Sequence, residues 1–163
     1  METPKQVRPK RLNDYLEVMS KAVFQAGISW KVIESKWPGF KEAMFDFDPE
    51  RIADLQPPDV DRLTQDTRIV RNRAKIEATI HNAETMVELN DQPGGFKKYL
   101  RSHGGFDQTV ADLRKRFKFL GDMGAYYFLY VVGEPVPPHE EWMERHEAPP
   151  SRRPRARGGT ASR

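Results

Sequence analysis

Leu113–Gly133 reads LRKRFKFLGDMGAYYFLYVVG, and the fold turns on how that stretch is read. Its first half sets Arg114, Lys115, Arg116 and Lys118 around apolar Leu113 and Phe117, the pattern of a basic amphipathic helix. Its second half, Ala125 to Val132, is almost uniformly apolar, and a helix apolar on all sides is buried. Gly121 and Gly124 make the turn between them. The second helix therefore begins with backbone N–H groups that have no intrahelical partner and with the positive end of its dipole. Missing side chains at the two glycines let a phosphate approach that end closely. Asp122 in the turn works mildly against a bare anion site, and the alternative is an ordinary corner between two helices with a solvated basic face.

Working outward, the rest of the body also reads as helix. Residues 13–26 carry Leu16, Met19, Val23 and Ala26 at helical spacing, with Asn13 or Asp14 as cap and Gly27 as stop. A second helix runs from about Ser29 until Pro38 and Gly39 break it. Asp48 followed by Pro49 is a strong start signal, and the pattern repeats with Pro58 leading and Val60 and Leu63 on one face. The longest helix spans Asn72–Leu89, with Ile76, Ile80, Ala83 and Val87 inward. Shorter helices follow at Phe96–Arg101, Gln108–Arg116 and Met123–Val132, and no alternating run bounded by turn signals suggests a strand. The prediction is all-α: a single compact helical domain of about eight helices over 12–147. A basic extension, 1–11, precedes it and a disordered Arg-rich tail, 148–163, follows.

The charge distribution supports that division. The chain has 27 basic and 24 acidic residues, but Ala148–Arg163 holds five arginines and no acid. Without that tail 22 basic residues face 24 acidic ones, a net of −2. Such a tail is suited to lying along polyphosphate, or serves only as a solubilising extension. No cysteine is present, which excludes disulfides and thiolate metal ligands. No apolar run is long enough to cross a membrane and the first residues lack a secretory apolar stretch. A cytoplasmic, nucleoid-associated protein is expected.

Several segments, taken together, resemble the 3-methyladenine DNA glycosylase I family of the helix-hairpin-helix superfamily. They are FQAGISW (24–30), FDPERIADLQPPDVDRL (47–63), IVRNRAKIEATIHNA (69–83), GGFKKYL (94–100) and the 113–133 hairpin. The resemblance implies a protein that binds duplex DNA, flips an alkylated adenine out of the stack and hydrolyses the bond from base to sugar. It implies that Trp30 lines a base pocket and stacks on a cationic purine, with Gln25 as a pocket or structural hydrogen-bonding group. It further implies that the helix-hairpin-helix element grips phosphates through Lys118, Gly121 and Gly124. Arg71 and Arg73, at the start of the longest helix, are expected to hold backbone elsewhere; surface pairing with Asp61, Asp66 or Glu77 is the plainer reading.

The chain departs from that family at three places. The position of the family's pocket glutamate is Ala22, and a methyl group supplies neither charge nor a hydrogen bond to a cationic base. At about 100° per residue, Asp14 and Glu17 point about 80° and 140° away from Ala22, so neither replaces it directly. The family's N-terminal motif is absent, and its zinc site cannot exist without cysteine, so no metal and no cofactor are expected. Glu140 and His139, a short way after the hairpin, are the candidate catalytic groups for stabilising the sugar cation or orienting water; a capped, solvated helix start is the plainer reading. The expected partner is double-stranded DNA carrying an alkylated base, bound by a monomer, with no membrane involved. Ala22 leaves two other readings open: a glycosylase for a different lesion, and an inactive DNA-binding paralogue.

Overall fold

The computed structural model describes residues 4–146, so the Arg-rich segment 148–163 lies outside the described residues. Within them the elements are α1 (Leu12–Gln25), α2 (Trp30–Ala43), a 3-10 turn (Phe45–Phe47), α3 (Pro49–Ala53) and α4 (Pro57–Leu63). These are followed by α5 (Arg73–Asn90), α6 (Gly95–Leu100), α7 (Phe106–Arg116), α8 (Asp122–Val131) and α9 (His139–His146). No strand forms among the described residues.

α1 is the central element. Leu16, Met19 and Val23 are fully buried on one side of it, and α1 packs against α8, α5 and α2. Its start is capped by Asp14, one carboxylate oxygen of which accepts from the backbone N–H of Lys10 (2.8 Å) and Arg11 (3.1 Å). Its end is capped from outside: the buried Lys75 ammonium of α5 donates to the carbonyls of Phe24 (3.0 Å) and Ala26 (2.5 Å). The residues after α1 turn at Gly27, φ +81°, and Ser29 then accepts from Val32 N–H at 3.2 Å to open α2.

α2 does not stop at Pro38, as the sequence predicts; it continues to Ala43. Proline removes one hydrogen bond, but Trp37, Phe40 and Ala43 all bury on the helix's inner side while Pro38 stays exposed, and that burial holds the helix together. Gly39 is needed for packing: a Cβ there would sit 2.7 Å from the Arg68 carbonyl oxygen. Asp48 caps α3 as expected, accepting from Glu50 N–H at 3.0 Å with Pro49 at the first helical position. The next helix is led by Pro57, one residue before the predicted proline. In α5 Ile76 and Ala83 are fully buried, whereas Ile80 and Val87 sit at the rim; Thr79, Asn82 and Met86 complete the inner face. The inward stripe is therefore rotated toward polar residues that have work elsewhere.

Asn82 is one of these. Its side chain closes a two-way hydrogen bond with the backbone of Lys118, accepting at 2.8 Å and donating at 3.1 Å, and His81 Nε2 contacts the Arg116 carbonyl at 3.1 Å. The α7–α8 turn is thus bolted to α5. Phe117 and Leu120 anchor the turn in the core, and Phe119, at φ +58°, is left half exposed at its tip.

Candidate functional site

A cleft of about 1350 Å³ runs along α1, between α2 and α8. One face of α1 lines it over three turns with Asp14, Glu17, Val18, Lys21, Ala22 and Gln25. From α2 come Trp30 and Glu34, and from α8 Gly121, Gly124, Tyr127 and Tyr130. The N-terminal arm closes one side: Val7 N–H donates to the Val131 carbonyl at 2.8 Å and the Gln6 side chain to the Tyr130 carbonyl at 2.9 Å. Residues 4–8 thus bring Lys5 and Arg8 to the cleft.

Trp30 is only half-buried, with its ring 4.8 Å from that of Tyr127 at an interplanar angle of 38°. Rings that close leave no room for a base between them, so the pair acts as one aromatic wall. Burial first, then the negative charges of Glu34 and Glu17, push the Tyr127 hydroxyl up, which keeps it a neutral donor at physiological pH. Gln25 lines the cleft and makes a long 3.5 Å bond to the Ile28 carbonyl. Ala22 is buried where α1 meets α8, and a Cβ on Gly124 would lie 3.6 Å from the Ala22 methyl.

Four carboxylates, Asp14, Glu17, Glu34 and Asp122, share this cleft. Asp14 is committed to its cap; burial opposes ionisation there, but the N–H groups of Lys10 and Arg11 and the Arg11 guanidinium outweigh it and hold the carboxyl below its ordinary value. Glu34 pairs with Lys21 at 2.7 Å. Glu17 accepts from the indole N–H of Trp37 at 2.9 Å. The helical angles that set Asp14 and Glu17 apart from Ala22 are real, but the cleft is wide and follows α1 lengthwise, so both still line it. Glu34, Lys21, Tyr127 and the N-terminal arm are not found by sequence reasoning. The one available signal was the spacing of Asp14, Lys21, Ala22 and Gln25, which puts polar and small residues on one face of an otherwise apolar helix.

The predicted catalytic pair divides. His139 lines the cleft and packs on the rings of Tyr126 (5.9 Å) and Tyr130 (5.5 Å), whereas Glu140 is exposed and does not line it. At the hairpin, Gly121 caps α8 in an extended conformation, and Asp122 in the first turn takes Arg114 at 2.8 Å. Arg116 pairs with Asp112 at 2.8 Å. Lys118 points no charge at any acid among the described residues. The second basic cluster does not converge. Arg68 pairs with Asp66 (2.7 Å) and Glu42 (3.1 Å), and Arg73 with Asp61 and Glu77. Lys75 is internal, leaving Arg71 exposed without an acidic partner among the described residues. No group of three or more residues with metal-binding geometry occurs among the described residues, and no helix among them is long and apolar enough to cross a membrane.

A model of the methyladenine glycosylase family matches residues 8–119, more than half the chain. The DNA-3-methyladenine glycosylase 1 of Escherichia coli (strain K12) is 30% identical, the match covering 67% of this chain and 70% of that protein. The DNA-3-methyladenine glycosylase of Haemophilus influenzae is 28% identical over the same shares. Among solved structures, a 3-methyladenine DNA glycosylase I superposes with a TM-score of 0.68 at 29% identity, over 78% of this chain and 81% of that one. The Staphylococcus aureus 3-methyladenine DNA glycosylase I, solved to explain 3-methyladenine recognition, gives 0.69 at 27% identity, over 79% and 80%.

Proposed function

We propose that this chain, which belongs to the methyladenine glycosylase family, is a DNA glycosylase that hydrolyses the bond between deoxyribose and an alkylated purine such as 3-methyladenine. The observation that carries the reading is the half-buried Trp30 face on a cleft whose other groups include carboxylates. A base flipped out of duplex DNA gives up stacking worth a few kcal/mol, and an aromatic platform returns about 1–3 kcal/mol of it. Alkylation on a purine ring nitrogen adds positive charge, and an electron-rich indole attracts a cation more than a neutral ring.

The chemistry asks little of an acid. Water adds at C1′, the glycosidic C–N bond breaks and its electron pair goes to the purine. Because that purine is already cationic, it leaves as a neutral base. The proton lost by the water goes to a nearby base or to solvent, and His139, on the cleft beside Tyr126 and Tyr130, is the group we place there. Glu140, outside the cleft, is given no role. Lys118 with the Gly121–Gly124 helix start holds a phosphate of the duplex, and exposed Arg71 adds a second contact.

Single-turnover base release from a methylated duplex, wild type beside Trp30→Ala, tests this reading. Wild type is expected to release 3-methyladenine and the variant to lose most of that release. A wild-type protein that binds the duplex yet frees no base would leave a lesion-binding module, with Ala22 as the reason.

A further inference from the structure

The cleft holds a flat aromatic wall and four carboxylates, Asp14, Glu17, Glu34 and Asp122, of which Glu17 alone is anchored to a buried ring. Asp14 is spent on the N-terminus of α1. Glu34 and Asp122 are each offset by a cation, Lys21 at 2.7 Å and Arg114 at 2.8 Å, and stand well exposed to water, at 61% and 49%. Glu17 uses Oε2 for the indole N–H of Trp37, with Lys41 further off at 3.8 Å from the same oxygen; its Oε1 has no hydrogen-bond partner among the described residues. The Glu17 side chain keeps 23% of its surface accessible, and the residue lines the cleft.

Glu17 is also held rigidly. Its partner Trp37 is 5% exposed and stacks between Phe47 (5.1 Å, 6°) and Phe40 (4.8 Å, 27°). A carboxylate pinned by one oxygen to a buried, stacked indole loses little side-chain freedom when its other oxygen takes a ligand. The Glu17 and Glu34 charges both act at the Tyr127 hydroxyl, which places them within electrostatic range of the aromatic wall.

We propose that Glu17 is the specificity-determining carboxylate of this cleft, whose free oxygen meets the positive charge and N–H edge of the base stacked on Trp30. The inference rests on the reading of the Trp30 cleft as a base pocket. It assigns to α1, five residues before Ala22, the selection of cationic over neutral bases. Lys21 then has a defined part: it offsets Glu34 at 2.7 Å, closer than Lys41 stands to Glu17 at 3.8 Å.

The experiment separates recognition from hydrolysis. Equilibrium dialysis at pH 7 compares 1-methyladenosine, a stable cation there, with neutral adenosine, for wild type, Glu17→Gln and Glu42→Gln. Glutamine retains an oxygen that accepts from the Trp37 indole, so Glu17→Gln removes charge while keeping the anchor, and its thermal midpoint checks that the fold is intact. Wild type is expected to prefer the cation about tenfold, Glu17→Gln to bind both nucleosides alike, and Glu42→Gln, outside the cleft, to stay near wild type. A wild-type protein that shows no preference, or a Glu17→Gln variant that retains it, overturns the assignment. Base release from duplexes carrying 3-methyladenine or neutral hypoxanthine is measured alongside. Cation preference without release of any base sinks the glycosylase reading while supporting Glu17; release by Glu17→Gln at wild-type rates from the methylated duplex sinks Glu17 alone.

Discussion

Trp30 and Trp37 stand seven residues apart on α2, two helical turns and so nearly the same face, yet they do opposite things. Trp37 is buried, stacked between two phenylalanines, and spends its N–H on Glu17. Trp30 is half-buried against Tyr127 on the wall of a cleft. What differs is the covering. Trp37 lies under α1 and the 3-10 turn, whereas Trp30, at the N-terminal end of α2, projects past the core toward α8. An apolar stripe on a helix is core only where a neighbouring element closes over it, and where none does the same residue type becomes a binding surface.

The sharpest way to break that comparison is to truncate each ring. Trp37→Ala removes a buried aromatic and leaves the Glu17 anchor without a donor, so a loss of about 3–5 kcal/mol in urea denaturation is expected. Trp30→Ala is expected to cost only about 1 kcal/mol by the same measurement. Equal losses would mean that Trp30 is core after all.

Activity should rank the two the other way. In single-turnover base release, Trp30→Ala at a temperature where it is fully folded should slow the reaction about 10–100-fold, the worth of one stacking platform. A variant that releases 3-methyladenine at the wild-type rate would show that the base rests elsewhere in the cleft.

The sequence already carried the helical architecture, because apolar spacing and cap residues are local signals: Asp48–Pro49, Asn72 and Gly27 mark boundaries that the structure keeps within a residue or two. It misled at Pro38, where a local breaker is outweighed by tertiary burial of Trp37, Phe40 and Ala43. The candidate site was legible only where one residue type dominates the chemistry. Trp30 stood out as a large ring beside a glycine turn. Glu17, Glu34 and Lys21 did not, because surface-type charges at helical spacing look alike until the fold shows which of them face a cleft and which already have partners. The helical angles that set Asp14 and Glu17 apart from Ala22 describe one helix, whereas the cleft that all three line is defined by three.

A middle-sized effect tests the element opposite the Trp30 wall. Asn82 is 1% exposed and holds the α7–α8 turn through both of its polar atoms. Asn82→Ala leaves the Lys118 backbone N–H and carbonyl without that partner, and about 1–3 kcal/mol of stability should go with them in urea denaturation. DNA affinity should fall more than Trp30→Ala lowers it if, as proposed, the turn holds a phosphate and the tryptophan meets only the flipped base.

The smallest effect distinguishes the two basic clusters. Arg73 is engaged by Asp61 and Glu77, while the Lys118 ammonium faces no acid among the described residues. A cation that releases a counterion from DNA contributes about one unit to the slope of log affinity against log salt, and one already neutralised by protein carboxylates contributes much less. Duplex binding by fluorescence anisotropy across a salt series should therefore show a slope lowered by about 0.9 for Lys118→Ala and nearly unchanged for Arg73→Ala. The reverse ranking would move the DNA track away from the hairpin and onto the start of α5, and the Asn82 clamp would then serve stability alone.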